Sequence, residues 1–345
     1  MFNHQQNLMK KHWIWCLLLV GLLSGCDKNK YILGEFITIQ HEHISLPTKE
    51  HLRSISFPDE RHGYIAGDGG VIFKTTDGGI TWQDISRSDV TPINKIIFTS
   101  AQVGFIALKQ KALLKTTDGG NSWIEVEPFS GNLRDIRFVG NTGYAIINGV
   151  DRNTNQEDEG CALLKSTDGG DSWSHMLGVS KPCWGMSVVD ADKVYFVSED
   201  EVVFRTLDGG NTLEPWNDRK VGYNYNAIYV FGDKSYYTVG DLAILNYYGS
   251  SLNTEARKNF YALYDIDFHS NRGIAVGKRS VFMGTYNPDN NEANKQKWVQ
   301  VFSSDATTFL YTYLDVEFSN ANDVYAVGEE GILTKFNYNS LWQGL

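Results

Sequence analysis

The sequence predicts an all-β protein: a seven-bladed β-propeller with four-stranded blades and Asp-box turns. Three observations lead there. Four Asp-Gly-Gly turns recur with their aspartates 41, 50 and 40 residues apart, an interval that signals a propeller or a solenoid. A six-residue segment with apolar side chains at alternate places recurs seven times, as a packed strand requires. From Leu52 to Leu345 there are 294 residues, or 42 for each of seven units.

In chain order, the first element is an address. Lys10, Lys11 and His12 precede an apolar run from Trp13 to Leu23, too short to span a bilayer as a helix but suited to a secretory signal. It ends Leu23-Ser24-Gly25-Cys26, which resembles the bacterial lipobox, where cleavage precedes a lipid-bearing cysteine. The expected organisation is a signal peptide over 1–25, a lipid-anchored linker over 26–34 with lipid on Cys26, and the propeller over 35–345. A strand near 35–42 is expected to help close the last blade. The protein is expected to be exported and held in the bacterial cell envelope, with inner and outer membrane left open by Asp27, since the meaning of that position differs between phyla.

The inner strands are read as LRSISF (52–57), INKIIF (93–98), LRDIRF (133–138), CWGMSV (183–188), YNAIYV (225–230), LYDIDF (263–268) and YLDVEF (313–318). Each is followed by a second strand, such as GYIAG or VYAVG, then a third, and in the first four units by the turn and a fourth. Four short strands per unit arranged radially leave only short exposed edges.

The turns are TTDGGITW, TTDGGNSW, STDGGDSW and TLDGGNTL. Their aspartates, Asp77, Asp118, Asp168 and Asp208, can accept hydrogen bonds from their own turn. The second glycines, Gly79, Gly120, Gly170 and Gly210, can take a positive φ, and Trp82, Trp123 and Trp173 can begin the outer strand and fill space between blades. Identical carboxylates spaced around a ring cannot converge on one catalytic site, so these residues are read as structural. Later units lose the motif and keep the inner strands.

Composition narrows the function. The chain has 345 residues, a net charge of -10 and 21% charged residues, a balance unlike that of a nucleic-acid binder, which needs clustered Lys and Arg. After Cys16 leaves with the signal and Cys26 takes lipid, Cys161 and Cys183 remain, either as a disulfide or as two buried thiols. No cofactor or metal site is expected. Asp151-x-Asn153-x-Asn155 lacks the glycine and glutamate of a calcium loop, and His41 and His43 have no evident third ligand.

The run from Gly67 to Trp82, GDGGVIFKTTDGGITW, resembles the repeat of the Ycf48-like family of photosystem II assembly factors, a BNR or Asp-box propeller family, and GEEGILTKF (328–336) echoes its first half. The resemblance implies a seven-bladed propeller, often a lipoprotein, that binds protein without catalysis. The Arg-Ile-Pro motif of sialidases, which share the Asp-box, is absent.

The chain is accordingly expected to be a non-enzymatic, monomeric, envelope-anchored propeller that binds or helps assemble a protein or peptide client. The alternatives are a carbohydrate-binding propeller or a sialidase-like glycoside hydrolase. The expected binding face lies opposite the Asp-boxes, with Trp184, Trp216, Tyr223, Tyr225, Tyr261, Phe309, Tyr311 and Tyr313 as its aromatic set, since Trp and Tyr supply large rigid contact area.

Overall fold

The computed structural model describes residues 37–338, apart from 91, 110–111, 127–130, 150–159, 200, 218–223, 233–234, 242, 249–250, 258–261, 287–297 and 303–310. Among them are seven sheets, each led by one of the repeated strands. The inner strands are Leu52–Ser56, Ile93–Phe98, Asn132–Val139, Cys183–Val188, Tyr225–Val230, Leu263–His269 and Tyr313–Phe318. Each packs against the next, and the last packs against the first, which closes the ring. Blades are numbered one to seven in this order.

Uniform four-stranded construction does not hold, and this corrects the expectation. Six sheets have four strands, and the sixth blade has five. There the N-terminal Ile37–Thr38 runs parallel to the outer strand Val299–Phe302. The outer strand of blade seven is also N-terminal: His41–His43 pairs antiparallel with Leu333–Asn337, so residues from both ends of the propeller share one sheet. The physical reason is that an outer strand presents an unpaired row of amides and carbonyls, and the arriving segment satisfies two such edges in succession.

The core lies between blades. Ile72 and Tyr64 of blade one pack with Ile93, Ile96 and Ile106 of blade two. Tyr325, Val327 and Leu333 of blade seven pack with Leu52, Ile55 and Phe57 of blade one. The fourth and sixth inner-strand positions feed these layers, which is why they stay apolar throughout. Full burial of one such isoleucine contributes roughly 1.5–3 kcal/mol.

In each inner strand the pairing with the second strand slips at the second position, for example between Leu52 and Ser54 and between Leu133 and Asp135. A bulge re-aims the side chain it carries. Here it delivers one residue per blade to the mouth of the central channel.

Candidate functional site: the channel mouth

The seven bulge residues, Arg53, Asn94, Arg134, Trp184, Asn226, Tyr264 and Leu314, line a cavity of about 230 Å³. The mouth lies at the end where each inner strand begins, the end opposite the Asp-box turns. Beneath it Lys95, Asp135, Arg137, Asp265 and Asp315 line a deeper part of the channel.

Three polar side chains of the rim are engaged within the protein. Arg53 donates from Nε and Nη2 to Asp68 at 2.5 and 2.6 Å, and this pairing holds the Asp68 carboxyl below its ordinary range. Asn94 donates to the Leu133 carbonyl at 3.1 Å and Asn226 to that of Leu263 at 2.7 Å, each bridging to the following blade. Arg134 differs. Its guanidinium stacks over the Trp184 ring at 4.7 Å, its Nε is buried without a hydrogen-bond partner, and burial pushes its pKa down.

Below the rim, carboxylates latch consecutive blades. At the third strand position Asp135 accepts from the Met186 amide at 3.0 Å, Asp265 from Val316 at 3.0 Å, and Asp315 from Ile55 at 2.8 Å. At the fifth, Asp267 accepts from Phe318 at 2.9 Å and Glu317 from Phe57 at 3.1 Å. Burial raises Asp267 to about 6 and, reinforced by the Asp267 charge, Glu317 to about 8. Burial, the neighbouring Asp315 and a shared hydrogen bond also raise Asp265, whereas the Lys95 charge holds Asp315 low against its own burial.

The Asp-boxes are saturated internally. Asp77 accepts from the Thr81 amide at 2.9 Å, the Thr81 hydroxyl at 2.6 Å and the Thr75 hydroxyl at 2.7 Å, and its pKa falls to about 2, chiefly through the Thr81 side chain. Asp118 and Asp208 make the same three contacts and also fall to about 2; Asp168 falls too. Gly79 has φ of 86°, and a Cβ there would stand 2.5 Å from the Tyr325 hydroxyl. Gly120, Gly170 and Gly210 are likewise at positive φ. The indole nitrogens of Trp82, Trp123 and Trp173 donate to the carbonyls of Gly79, Gly120 and Gly170.

Of the expected aromatic set, the structure brings only Trp184 to the mouth among the described residues. Trp216 is wedged between Tyr195 and Tyr236 at 4.8 and 4.7 Å, within the layer between blades four and five. Tyr225 and Tyr313 are fully buried, and Tyr311 rests against the core of blades six and seven. Tyr223, Tyr261 and Phe309 lie outside the described residues, as does Cys26. Cys161 and Cys183 are joined as a disulfide between blades three and four, with Cα atoms 5.8 Å apart.

Sequence reasoning passed over the second strand position as a set. Its signal was variety: R, N, R, W, N, Y and L share a strand with fourth and sixth positions that stay apolar throughout. The lysine before each early Asp-box was also missed. Lys74, Lys115 and Lys165 donate to Gly119, Gly169 and Gly209 of the next box, tying blade to blade.

Residues 35–174 match the family profile described as photosynthesis system II assembly factor YCF48. Over those residues, fewer than half of the chain, it is similar to the Ycf48-like family. A photosystem II assembly lipoprotein Ycf48 of Parasynechococcus marenigrum (strain WH8102) is 35% identical over 71 residues, 20% of this chain and 21% of that protein. One from Prochlorococcus marinus (strain NATL2A) is 32% identical over 69 residues, 20% of each chain. The chain thus aligns with about a fifth of the length of these curated relatives.

Among solved structures, YCF48 bound to D1 peptide superposes with a TM-score of 0.68 at 20% identity, covering 88% of this chain and 97% of that one. An ancestral GH74 enzyme gives 0.67 at 14% identity, covering 86% of this chain and 46% of that one. At such identities the superpositions speak for the propeller fold alone.

Proposed function

We propose that this Ycf48-like chain is a non-catalytic propeller that holds a protein or peptide client on the face around the channel mouth, tethered to the cell envelope by lipid on Cys26. The observation that carries the reading is the contrast between the two ends of the ring. The Asp-box carboxylates spend their acceptors on their own turns, whereas the mouth presents seven side chains of five kinds on a repeated frame. A repeat whose fourth and sixth strand positions stay apolar while its second position, at the mouth, varies suits recognition, because the frame holds while the presented chemistry changes.

The relatives named as assembly lipoproteins support a tethered assembly role, and the relative solved with D1 peptide supports a peptide-bearing client. Catalysis finds no support in the Asp-boxes, whose lowered pKa values suit permanent acceptors and not proton donors.

Crosslinking in intact membranes followed by co-purification tests the role. One specific protein should be recovered with the wild type and lost when Arg134 and Trp184 are both replaced by alanine in a protein that melts normally. Undiminished capture by that variant would remove the mouth from the reading. Labelled palmitate should enter the wild type and not Cys26→Ala; persistent labelling would remove Cys26 as the anchor.

A further inference from the structure

The inner strands carry four cations among the described residues, and three of them have acidic partners. Arg53 is paired with Asp68, Lys95 with Asp315 at 2.9 Å, and Arg137 lies 3.3 Å from Asp135. Arg134 has the face of Trp184 and no ion pair. A guanidinium presents a planar fork of donors that fits an oxyanion with two parallel hydrogen bonds, and stacking on an indole holds that plane fixed. The Arg134 Nε is buried without an acceptor, as is that of Arg137, so it is the lack of an ion pair that sets Arg134 apart.

We propose that the channel mouth is a receptor for a single carboxylate group, anchored by the Arg134 fork on the Trp184 platform. Charge selects the class. The site has one cation lacking an acidic partner, and the floor already holds Asp135, Asp315 and Asp265, the last disfavoured as an anion by burial and by Asp315, so a monoanion completes the balance where a phosphate dianion would exceed it. The cavity of about 230 Å³ has room for one acidic side chain or a small monocarboxylic acid. Asn94 and Asn226 each spend one amide N–H on a backbone carbonyl and keep the second N–H and the acceptor oxygen, so they can meet the carboxylate or an amide or hydroxyl donor beside it.

The carboxylate has two sources, an acidic group of a peptide or a free small acid, and the first rests on the protein-binding reading above. The test is calorimetric titration of the full chain in detergent with four probes: N-acetyl-glutamyl N-methylamide, its glutaminyl counterpart, butyrate and inorganic phosphate. The expected result is saturable binding of at least one carboxylate probe, no binding of the glutaminyl probe, and at least a tenfold loss in Arg134→Gln at an unchanged melting temperature. Arg134→Lys, which keeps the charge and loses the fork, should fall between, and it stands in if the glutamine variant misfolds. The capped glutamate binding better than butyrate assigns a peptide source, and the reverse assigns a free acid.

Wild-type affinity in the arginine variants, equal binding of the glutaminyl probe, tighter binding of inorganic phosphate, or no saturable carboxylate binding would each overturn the proposal. Carboxylate binding by a protein that captures no client would overturn only the protein-binding reading. Client capture without carboxylate binding would overturn only this one.

Discussion

Lys95 Nζ on the second inner strand lies 2.9 Å from Asp315 Oδ1 on the seventh, so a single ion pair links blades two and seven past blade one. The same carboxylate accepts from the Ile55 amide of blade one. Three blades at the closing seam therefore share one buried acid. Replacing Lys95 by methionine strands that carboxylate, and removing one partner of a buried pair costs about 3–5 kcal/mol. Thermal unfolding should show a large loss for Lys95→Met, partly restored by adding Asp315→Asn. A double variant no more stable than Lys95→Met would show that the pair has no such coupling.

Glu317 and Asp267 give the propeller an unusual pH response. Their folded pKa values, about 8 and about 6, stand above the ordinary carboxylate values of 4.5 and 3.8. A raised carboxylate means that the folded state holds its proton more tightly than the unfolded chain does. Stability from these two groups is therefore full below about pH 4 and declines as pH rises through 6 and 8. Glu317→Gln keeps an acceptor for the Phe57 amide and removes the titration. Its melting temperature should exceed that of the wild type at pH 8.5 and approach it at pH 5. An equal difference at both pH values would contradict the assignment.

The Asp-box aspartates should matter for stability and not for client binding. Asp118 accepts from the Ser122 amide, the Ser122 hydroxyl and the Thr116 hydroxyl, and no other side chain on the turn can take all three donors. Asp118→Ala should lower the melting temperature by several degrees while the folded fraction captures client normally. Normal melting with lost capture would reverse the structural assignment.

The disulfide closes a loop of 22 residues between blades three and four. A loop of that size restricts the unfolded chain by about 3 kcal/mol in the chain-entropy view. Cys161→Ser with Cys183→Ser, or full reduction of the wild type, should lower stability by about that amount. The effect should be partly cushioned because Asn148 separately joins the two blades through the Cys183 amide and carbonyl, at 3.0 and 2.9 Å. An unchanged denaturation midpoint on reduction would dismiss the cross-link as a stabiliser.

Deleting residues 26–47 removes both N-terminal strands. The Leu333–Asn337 strand would lose its partner His41–His43 and present a bare edge. The truncated protein should melt lower and lose amide protection in blade seven first. Protection unchanged in that blade would show that the segment contributes no closure.

What the sequence determined by itself was whatever repeats. The Asp-Gly-Gly turns and the alternating positions such as Ile55, Ile96 and Ile136 are local consequences of turn chemistry and period-two packing, and the family resemblance rides on the same residues. The tertiary structure decided what depends on ring geometry. Tyr225 and Trp216 read as surface aromatics, yet blade-on-blade packing buries Tyr225 and clamps Trp216 between rings. Arg53 and Arg134 hold equivalent strand positions. One is spent on Asp68 within its own blade while the other meets Trp184 from the next, a difference set by neighbours 15 and 50 residues away that no local pattern encodes.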